Sequence, residues 1–124
     1  MRLITILLGV CTLALVASTP ALAKAPPLGK YHCYIGTSNL NFSTVSVLSG
    51  NSYTRNGTKG TFQTGATKVT FKDRKVGYTI RFTSGTLKGF SGRWYAARGA
   101  GVTHEIALKT PTSGYETVYC DDGR

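Results

Sequence analysis

The sequence predicts an all-β protein, an antiparallel up-and-down barrel of about eight strands closed by a disulfide between the first and last strands. No 12-residue window after Ala23 has the apolar spacing of an amphipathic helix, and short runs of alternating apolar and polar residues recur instead. Gly, Asn and Ser separate these runs, and the connections are too short for crossover helices. Such a pattern is typical of a β-barrel or a β-sandwich.

Nine segments carry the strand pattern: YHCYI, LNFSTVSVL, SYTR, KGTFQT, TKVTFK, VGYTIRF, RWYAA, VTHEIALK and YETVYC. Asn56-Gly57 is a favoured hairpin turn, and DRK, residues 73–75, predicts another turn. The glycine-broken passage SGTLKGFSG, residues 84–92, is expected to hold a short strand or a sharp bend.

Alternation fixes the expected direction of the side chains on the two strands that flank the DRK turn. Successive residues of a strand point to opposite faces of the sheet. Lys72 and Arg81 are therefore predicted to face outward. The residues predicted to face inward are Val69, Phe71, Val76, Tyr78, Ile80 and Phe82.

Residues 1–23 read as a secretory signal. Arg2 precedes the apolar run LITILLGVCTLALVA, and Ala21-x-Ala23 fits a signal-peptidase site. A membrane anchor would need about 20 continuous apolar residues without such a site. Cys11 lies within the apolar run and follows Val10, where a lipoprotein signal has a small residue. We therefore predict a secreted or periplasmic protein with no transmembrane anchor after cleavage.

Cleavage after Ala23 gives the predicted domain organisation. Residues 24–29 form an extended leader, because Pro26 and Pro27 cannot join a β-ladder. Residues 30–120 form the single β-barrel domain, and residues 121–124 are expected to be a loose tail.

Cleavage also leaves two cysteines, Cys33 and Cys120, in a chain exported to an oxidising compartment, which favours a disulfide. A catalytic cysteine would need a histidine partner and a zinc site would need four ligands, and only His32 and His104 are present. A disulfide requires the two Cα atoms to lie within about 7 Å. The first and last strands of a meander meet only if the sheet closes, so the pair favours the barrel over the sandwich.

Positive charge is the main functional signal. Without Arg2, fourteen Lys and Arg residues stand against five Asp and Glu, a net charge of +9. Such a field attracts cell-surface polymers, acidic lipid head groups, acidic proteins or nucleic acid, although plain solubility is an alternative explanation. The segment from Lys68 to Arg98 holds most of the clustered cations. We predict a binding face centred on Lys72, Arg74, Lys75 and Arg81.

Two other function classes are less well supported. Aromatic residues interleave with the cations, as in single-strand nucleic-acid binders, but they mostly share the inward parity, and export argues against nucleic acid as the partner. Glu105 and His104 are adjacent and so point to opposite faces of a strand. No phosphate loop, metal-ligand spacing or GxSxG sequence appears. We therefore expect no catalytic residues, no metal and no cofactor.

The passage FSGRWYAARG, residues 90–99, holds Trp94, the only tryptophan of the chain. Trp94 is expected to cap one end of the barrel. The alternative is that SGRWY marks a loop that presents Ser91, Arg93 and Tyr95 to a partner.

The whole mature chain resembles a group of small exported bacterial single-disulfide β-barrel proteins of unknown function. The resemblance lies in Gly29, Tyr31 and Cys33 at the start and in Gly60 to Phe62. It extends to Phe82, Gly85, Leu87 and Gly89, and to the terminal Tyr119 and Cys120. It implies the fold and no activity.

A weaker resemblance is to the periplasmic inhibitors of C-type lysozyme, which are eight-stranded barrels with an S-G-x-x-Y motif, here Ser91 to Tyr95. It implies that the region of Ser91 enters the cleft of a hydrolase, with Lys109 as a loose counterpart of a later lysine. Because C-type lysozymes are basic, a basic partner would be repelled on approach. The leading hypothesis is therefore a non-catalytic protein that binds an anionic cell-envelope polymer or lipid surface, and the alternative is an inhibitor of a hydrolase such as lysozyme.

Overall fold

The computed structural model describes residues 24–36, 40–99 and 101–123. The predicted signal sequence, residues 1–23, lies outside these described residues. Nine strands are present in the described part: β1 Gly29–Ile35, β2 Leu40–Leu48, β3 Ser52–Arg55, β4 Thr58–Thr64, β5 Val69–Thr70, β6 Val76–Phe82, β7 Ser91–Gly99, β8 Val102–Lys109 and β9 Glu116–Asp121.

Eight of these strands form a closed antiparallel barrel. Neighbours in sequence pair with each other from β1 to β4 and from β6 to β9, and the ring closes through β1–β9 and β4–β6. The remaining strand, β5, has two residues and pairs only with the beginning of β6. The predicted fold class is thus confirmed.

The predicted disulfide lies at the β1–β9 seam. Cys33 is directly opposite Cys120 in the ladder, with 4.0 Å between their Cα atoms, and the two residues are bonded. Both side chains are buried within the barrel core. The bond therefore links the first and last strands where the sheet closes.

The alternation of side chains along the strands determines which residues form the core, except at β5 and the beginning of β6. Tyr78, Ile80 and Phe82 are buried as predicted. The inward predictions for Val76 and Val69 are wrong, since these side chains are 50% and 37% exposed. The physical reason is that β4 closes the barrel against the second half of β6, which leaves β5 and the start of β6 outside the ring. Phe71 is likewise outside and only partly buried.

A turn between β6 and β7 closes one end of the barrel. The passage predicted as a short strand or a bend forms turns over residues 84–89, and Leu87 is fully buried beneath them. The buried Tyr53 hydroxyl donates to the Ser84 carbonyl oxygen at 2.7 Å and accepts from the Leu87 backbone N–H at 2.8 Å. Gly85 has φ +83°, and a Cβ there would lie 2.5 Å from the Tyr53 hydroxyl oxygen, so glycine is required.

The leader and an aromatic pair cover the opposite end. Trp94 stacks on Tyr78 with 4.8 Å between ring centroids, and both rings are buried, in agreement with the predicted capping role of Trp94. Pro26 is buried, and Ala25 packs against the core. The Tyr31 hydroxyl donates to the Pro27 carbonyl oxygen at 2.9 Å. The leader joins no ladder before Gly29, and it seals this end of the barrel.

The C-terminal residues differ from the loose tail that the sequence suggested. Asp121 is still part of β9. Asp122 accepts hydrogen bonds from the backbone N–H groups of Thr103 and His104 at 2.8 and 2.9 Å. Although burial raises the pKa of Asp122, these bonds and that from the Thr103 hydroxyl lower it on balance. The chain is thus held against β8 as far as residue 122.

We expect removal of the disulfide to be the most destabilising single change to the barrel. Cys33 and Cys120 are 87 residues apart in sequence. For a loop of that length the chain-entropy model gives a loss of about 4–5 kcal/mol in the free energy of unfolding. The double variant Cys33→Ser/Cys120→Ser should melt at a much lower temperature than the oxidised protein, with the same β-sheet circular dichroism below its transition. Two free thiols in protein purified without reducing agent, detected by mass spectrometry, would contradict the disulfide across the seam.

Replacement of Tyr53 by Phe should destabilise the domain by about 1–3 kcal/mol, because the buried Leu87 N–H and Ser84 C=O would lose their partner. Chemical denaturation would measure the loss. The matched control is Tyr115→Phe, which removes the same hydroxyl from a side chain that is 81% exposed and should leave stability unchanged. Equal stability of the two variants would show that the hydroxyl does not hold the turn.

Candidate functional site

The β5–β6 hairpin folds over the outer wall of the barrel. Its tip is a tight turn in which the Arg74 N–H donates to the Phe71 carbonyl oxygen and the Phe71 N–H to the Lys75 carbonyl oxygen, at 2.8 and 3.0 Å. The Lys75 N–H also donates to Asp73 Oδ1 at 3.0 Å, and Arg74 adopts φ +67°. The turn predicted at residues 73–75 is therefore present, and its own hydrogen bonds define its shape.

Arg93 fixes this hairpin to the barrel. The residue lies in the middle of β7 and points outward, yet it is only 7% exposed. Its Nη1 and Nη2 donate to the two carboxylate oxygens of Asp73 at 2.8 and 2.7 Å. Its Nε and Nη2 donate to the two oxygens of Glu116 at 2.7 and 2.9 Å. One guanidinium thus joins the hairpin, β7 and β9.

Two aromatic rings lie close to the Arg93 guanidinium. Its Cζ lies 4.8 Å from the centroid of the Phe71 ring and 5.1 Å from that of Tyr95. The hydrogen bonds from Arg93 are the main reason that the pKa of Asp73 lies well below its usual range. The bond to Asp73 is likewise the largest cause of the raised pKa of Arg93. Asp73 and Arg93 are therefore both charged at neutral pH.

A second ion pair lies beside the first. The buried Tyr95 hydroxyl donates to Glu105, and the ammonium group of Lys75 donates to the Tyr95 oxygen at 3.3 Å. Lys75 Nζ is also 3.9 Å from Glu105 Oε1. Burial, followed by the hydrogen bond to Glu105, raises the pKa of Tyr95. The Lys75 side chain is thus partly engaged in contacts within the domain, whereas the Lys72 and Arg74 side chains make no such contacts among the described residues.

All five carboxylates of the sequence are used inside the domain. Asp73 and Glu116 bind Arg93, and Glu105 binds Tyr95. Asp121 accepts from the Tyr34 hydroxyl at 3.5 Å and from the Gly123 N–H at 3.1 Å. Asp122 holds the start of β8 as described above. The positive charges of the surface therefore face few competing carboxylates from their own chain.

The structure brings three of the four predicted binding residues together. Lys72, Arg74 and Lys75 are exposed on the hairpin tip. Arg81 is exposed on the outer face of β6, as predicted, and its Nη2 donates to Gln63 Oε1 at 3.0 Å. Within the described residues, no hydrogen bond or ion pair engages the Lys72 or Arg74 side chain.

Two adjoining grooves lie under and beside the hairpin. One, of about 510 Å³, is lined by residues that include Arg81, Ser91 and Lys109. The other, of about 550 Å³, is lined by residues that include Lys72 and Tyr115. Both grooves share the residues Phe71, Arg93, Lys109 and Glu116. The grooves therefore form one continuous concave surface on the outside of the barrel, which we call the outer groove.

The residues of the alternative inhibitory loop lie in strand β7 instead of a loop. Ser91 is partly exposed and lines the outer groove. Arg93 and Tyr95 are buried and held by carboxylates. The physical reason is that Gly92 lets β7 pack closely on β8, since a Cβ there would lie 1.9 Å from the Ala107 carbonyl oxygen. Ser91, Arg93 and Tyr95 are therefore in a strand that pairs with β6 and β8, and they do not project from a loop.

Sequence reasoning did not anticipate the parts played by Asp73, Glu116 and Tyr115. Asp73 is the single acid in the cationic segment from Lys68 to Arg98. Its short spacing to Lys75 in a predicted turn was the available signal for the side-chain-to-backbone bond. The contacts of Arg93 span 20 residues to Asp73 and 23 to Glu116, so no local pattern identifies them.

The structure offers no positive sign of metal chemistry within residues 24–36, 40–99 and 101–123. No group of three or more His, Cys, Asp or Glu side chains there is placed to hold a metal ion. His32 is exposed. The side chains of His104 and Glu105 point to different faces of the strand, since the His104 ring lies 5.9 Å from the Trp94 ring and Glu105 binds Tyr95 on the outer face.

In the described part of the chain, no helix is long and apolar enough to cross a membrane.

Comparison with known proteins gives no relative for this chain. No protein-family model, no curated protein and no solved structure matches it.

Acid should release the hairpin through Asp73. Because the folded-state pKa of Asp73 is depressed, its contribution to stability is present above the unfolded-state pKa of about 4 and is lost as the pH falls toward the folded-state value. The denaturant midpoint of the parent should therefore fall steeply below about pH 4. Asp73→Asn should be less stable than the parent at pH 7 and show a shallower fall with acid. Parallel pH profiles for the two proteins would contradict this assignment.

Proposed function

We propose that this domain is a non-catalytic exported protein that binds an anionic component of the cell envelope through a basic face formed by Lys72, Arg74, Lys75 and Arg81. One observation carries the proposal. The hairpin that bears three of these cations is fixed to the barrel wall by the paired bonds between Arg93 and Asp73. Cations held on a fixed frame lose less conformational entropy on binding than cations on a flexible tail.

The distribution of charge supports the same proposal. Each of the five Asp and Glu side chains accepts a hydrogen bond within the domain, and within the described residues Lys75 is the one cation of the basic face with an ion pair, to Glu105. The cations therefore keep most of their attraction for an external anion. A disulfide in the core is compatible with a secreted or periplasmic location, where thiols are oxidised.

No specific observation favours the inhibitor alternative. An inhibitory segment has to project into a cleft, whereas Arg93 and Tyr95 are buried and already bound to carboxylates. Ser91 and Arg93 line the outer groove, and the donors of Arg93 are already bound to Asp73 and Glu116.

Neutralising the basic face should abolish most of the adsorption to anionic envelope material. The test variant is Lys72→Gln/Arg74→Asn/Lys75→Gln/Arg81→Gln, in which Asn suits the positive φ at position 74. Binding of the exported protein to isolated envelope and to phosphatidylglycerol vesicles would be measured by co-sedimentation at low and high salt. We expect several-fold weaker binding of the variant at low salt, and convergence of the variant and the parent at high salt, because screening weakens contacts between exposed charges.

A variant matched in charge separates the face from the net charge. Lys30, Lys59, Lys88 and Arg98 are exposed, and their side chains make no hydrogen bond or ion pair within the described residues. Their fourfold replacement by Gln removes the same charge and should reduce adsorption much less. Equal losses in both variants would mean that net charge alone governs adsorption, and undiminished adsorption of the first variant would refute the proposed function.

A further inference from the structure

A row of polar side chains crosses the strands that form the outer groove. Arg81 is opposite Ser91 in the β6–β7 ladder, and Ser91 is opposite Lys109 in the β7–β8 ladder. Neighbouring strands are about 4.8 Å apart, so the backbones of the two cations are separated by roughly 10 Å with a hydroxyl between them. Gln63 continues the row on β4, and Glu116 continues it on β9. The row therefore places one positive charge on each side of the Ser91 hydroxyl.

The acids closest to this row are bound to Arg93. Both oxygens of Glu116 and both oxygens of Asp73 accept hydrogen bonds from Arg93, so these three side chains together carry a formal net charge of −1. Within the described part of the chain, no ion pair engages Arg81, Lys109 or Lys72. Arg93 therefore acts as a positioning residue, because it holds both carboxylates in fixed hydrogen bonds. With Arg81, Lys109 and Lys72, the lining of the groove keeps a formal net charge of +2, which favours an anion.

Aromatic surface lies along the same groove. Phe71 lines both halves and is partly exposed, and Tyr115, which lines one of them, is 81% exposed. An exposed tyrosine ring is an apolar face with a polar tip, a combination common at binding sites. The hydroxyls of Thr79 and Ser91 add hydrogen-bonding groups along the half of the groove that holds Arg81.

We propose that the outer groove binds an acidic glycan, a chain of sugar rings that carry carboxylate groups. This inference rests on the proposed function and names its ligand class. Flat aromatic faces fit the C–H faces of sugar rings, the hydroxyl and amide groups fit the sugar hydroxyls, and Arg81 and Lys109 fit carboxylates. A lipid is a poorer fit, since the barrel interior is filled by side chains and a planar membrane surface does not enter a groove beneath a hairpin.

Isothermal titration of the exported protein with three probes tests the ligand class. The probes are the α-1,4-linked hexamer of galacturonate, the neutral hexamer of N-acetylglucosamine and hexaglutamate, which carries carboxylates without sugar rings. We expect the galacturonate hexamer to bind at least ten times more tightly than either of the others. Absence of binding, or equal binding of hexaglutamate, would overturn the inference.

Variants that spare the four cations of the basic face test the site. Ser91→Ala/Lys109→Gln should weaken binding of the galacturonate hexamer at least fivefold, and the control Ser49→Ala/Lys88→Gln, with the same chemical changes at exposed turn positions, should leave it unchanged. Tyr115→Ala should weaken binding severalfold, whereas Tyr115→Phe should retain it if the ring face is the contact. Equal effects of the groove variant and its control would overturn the assignment to the groove.

The two proposals fail in different ways. If the galacturonate hexamer does not bind but adsorption to envelope still depends on Lys72, Arg74, Lys75 and Arg81, the glycan inference is overturned and the proposed function stands. The opposite result is that the hexamer binds the parent, the Ser91→Ala/Lys109→Gln variant loses this binding, and the four-cation variant still adsorbs normally to envelope. In that case the groove assignment stands, and the basic face does not govern adsorption.

Discussion

The sheet closes where β1 pairs with β9, and the disulfide between Cys33 and Cys120 crosses that seam. An open meander would leave two strand edges free, and the closed ring pairs both. Closure also divides the side chains into an inner set and an outer set, because residues alternate along every strand. The inner set is large and apolar and fills the barrel. The positions of the hairpin and of the outer groove follow from what remains on the outside.

Arg93 imposes a second constraint, on the outer wall. A buried guanidinium is costly to desolvate unless its donors are satisfied, and here two carboxylates satisfy it along two edges that share Nη2. Arginine suits this position better than lysine, since its planar fork can form paired bonds with each carboxylate and lie close to two rings. The same bonds that fix the hairpin offset one of the two negative charges beside the groove with the positive charge of Arg93. Structure and surface electrostatics are thus coupled through one side chain.

Much of the fold could be predicted from local features of the sequence. Asn56-Gly57 marks a hairpin turn because both residues accept a positive φ, here 53° and 80°. The alternation of Tyr78, Ile80 and Phe82 with polar residues indicates a strand with one buried face, and all three side chains are buried. The cysteine pair added a long-range contact that turned a list of strands into a closed ring.

Two features could not be predicted, namely the place of β5 and the surroundings of the exposed cations, because they depend on contacts that no local pattern encodes. Val69 and Phe71 alternate as core residues do, but whether a strand belongs to the ring depends on which strand closes against β6. The sequence also left open a loop that presents Ser91 to a partner. In the fold, Gly92 instead allows a close approach of two strands. The predicted cations were placed outward correctly, whereas the carboxylates that govern their surroundings come from other strands.

A filled interior determines where a ligand can bind. Small barrels that carry ligands inside need a cavity, and here Leu87, Tyr53 and Trp94 occupy the ends and centre. A site therefore has to be built on the outside, where a barrel wall is normally convex. The β5–β6 hairpin changes this, since it adds a second layer over part of the wall and creates concavity. Another groove, of about 570 Å³, beside Leu28, Lys30 and Lys59 carries two cations, but its lining contains no aromatic ring. The hairpin side is thus the part of the described surface where concavity, cations and aromatic rings coincide, because Arg93 holds that second layer in place.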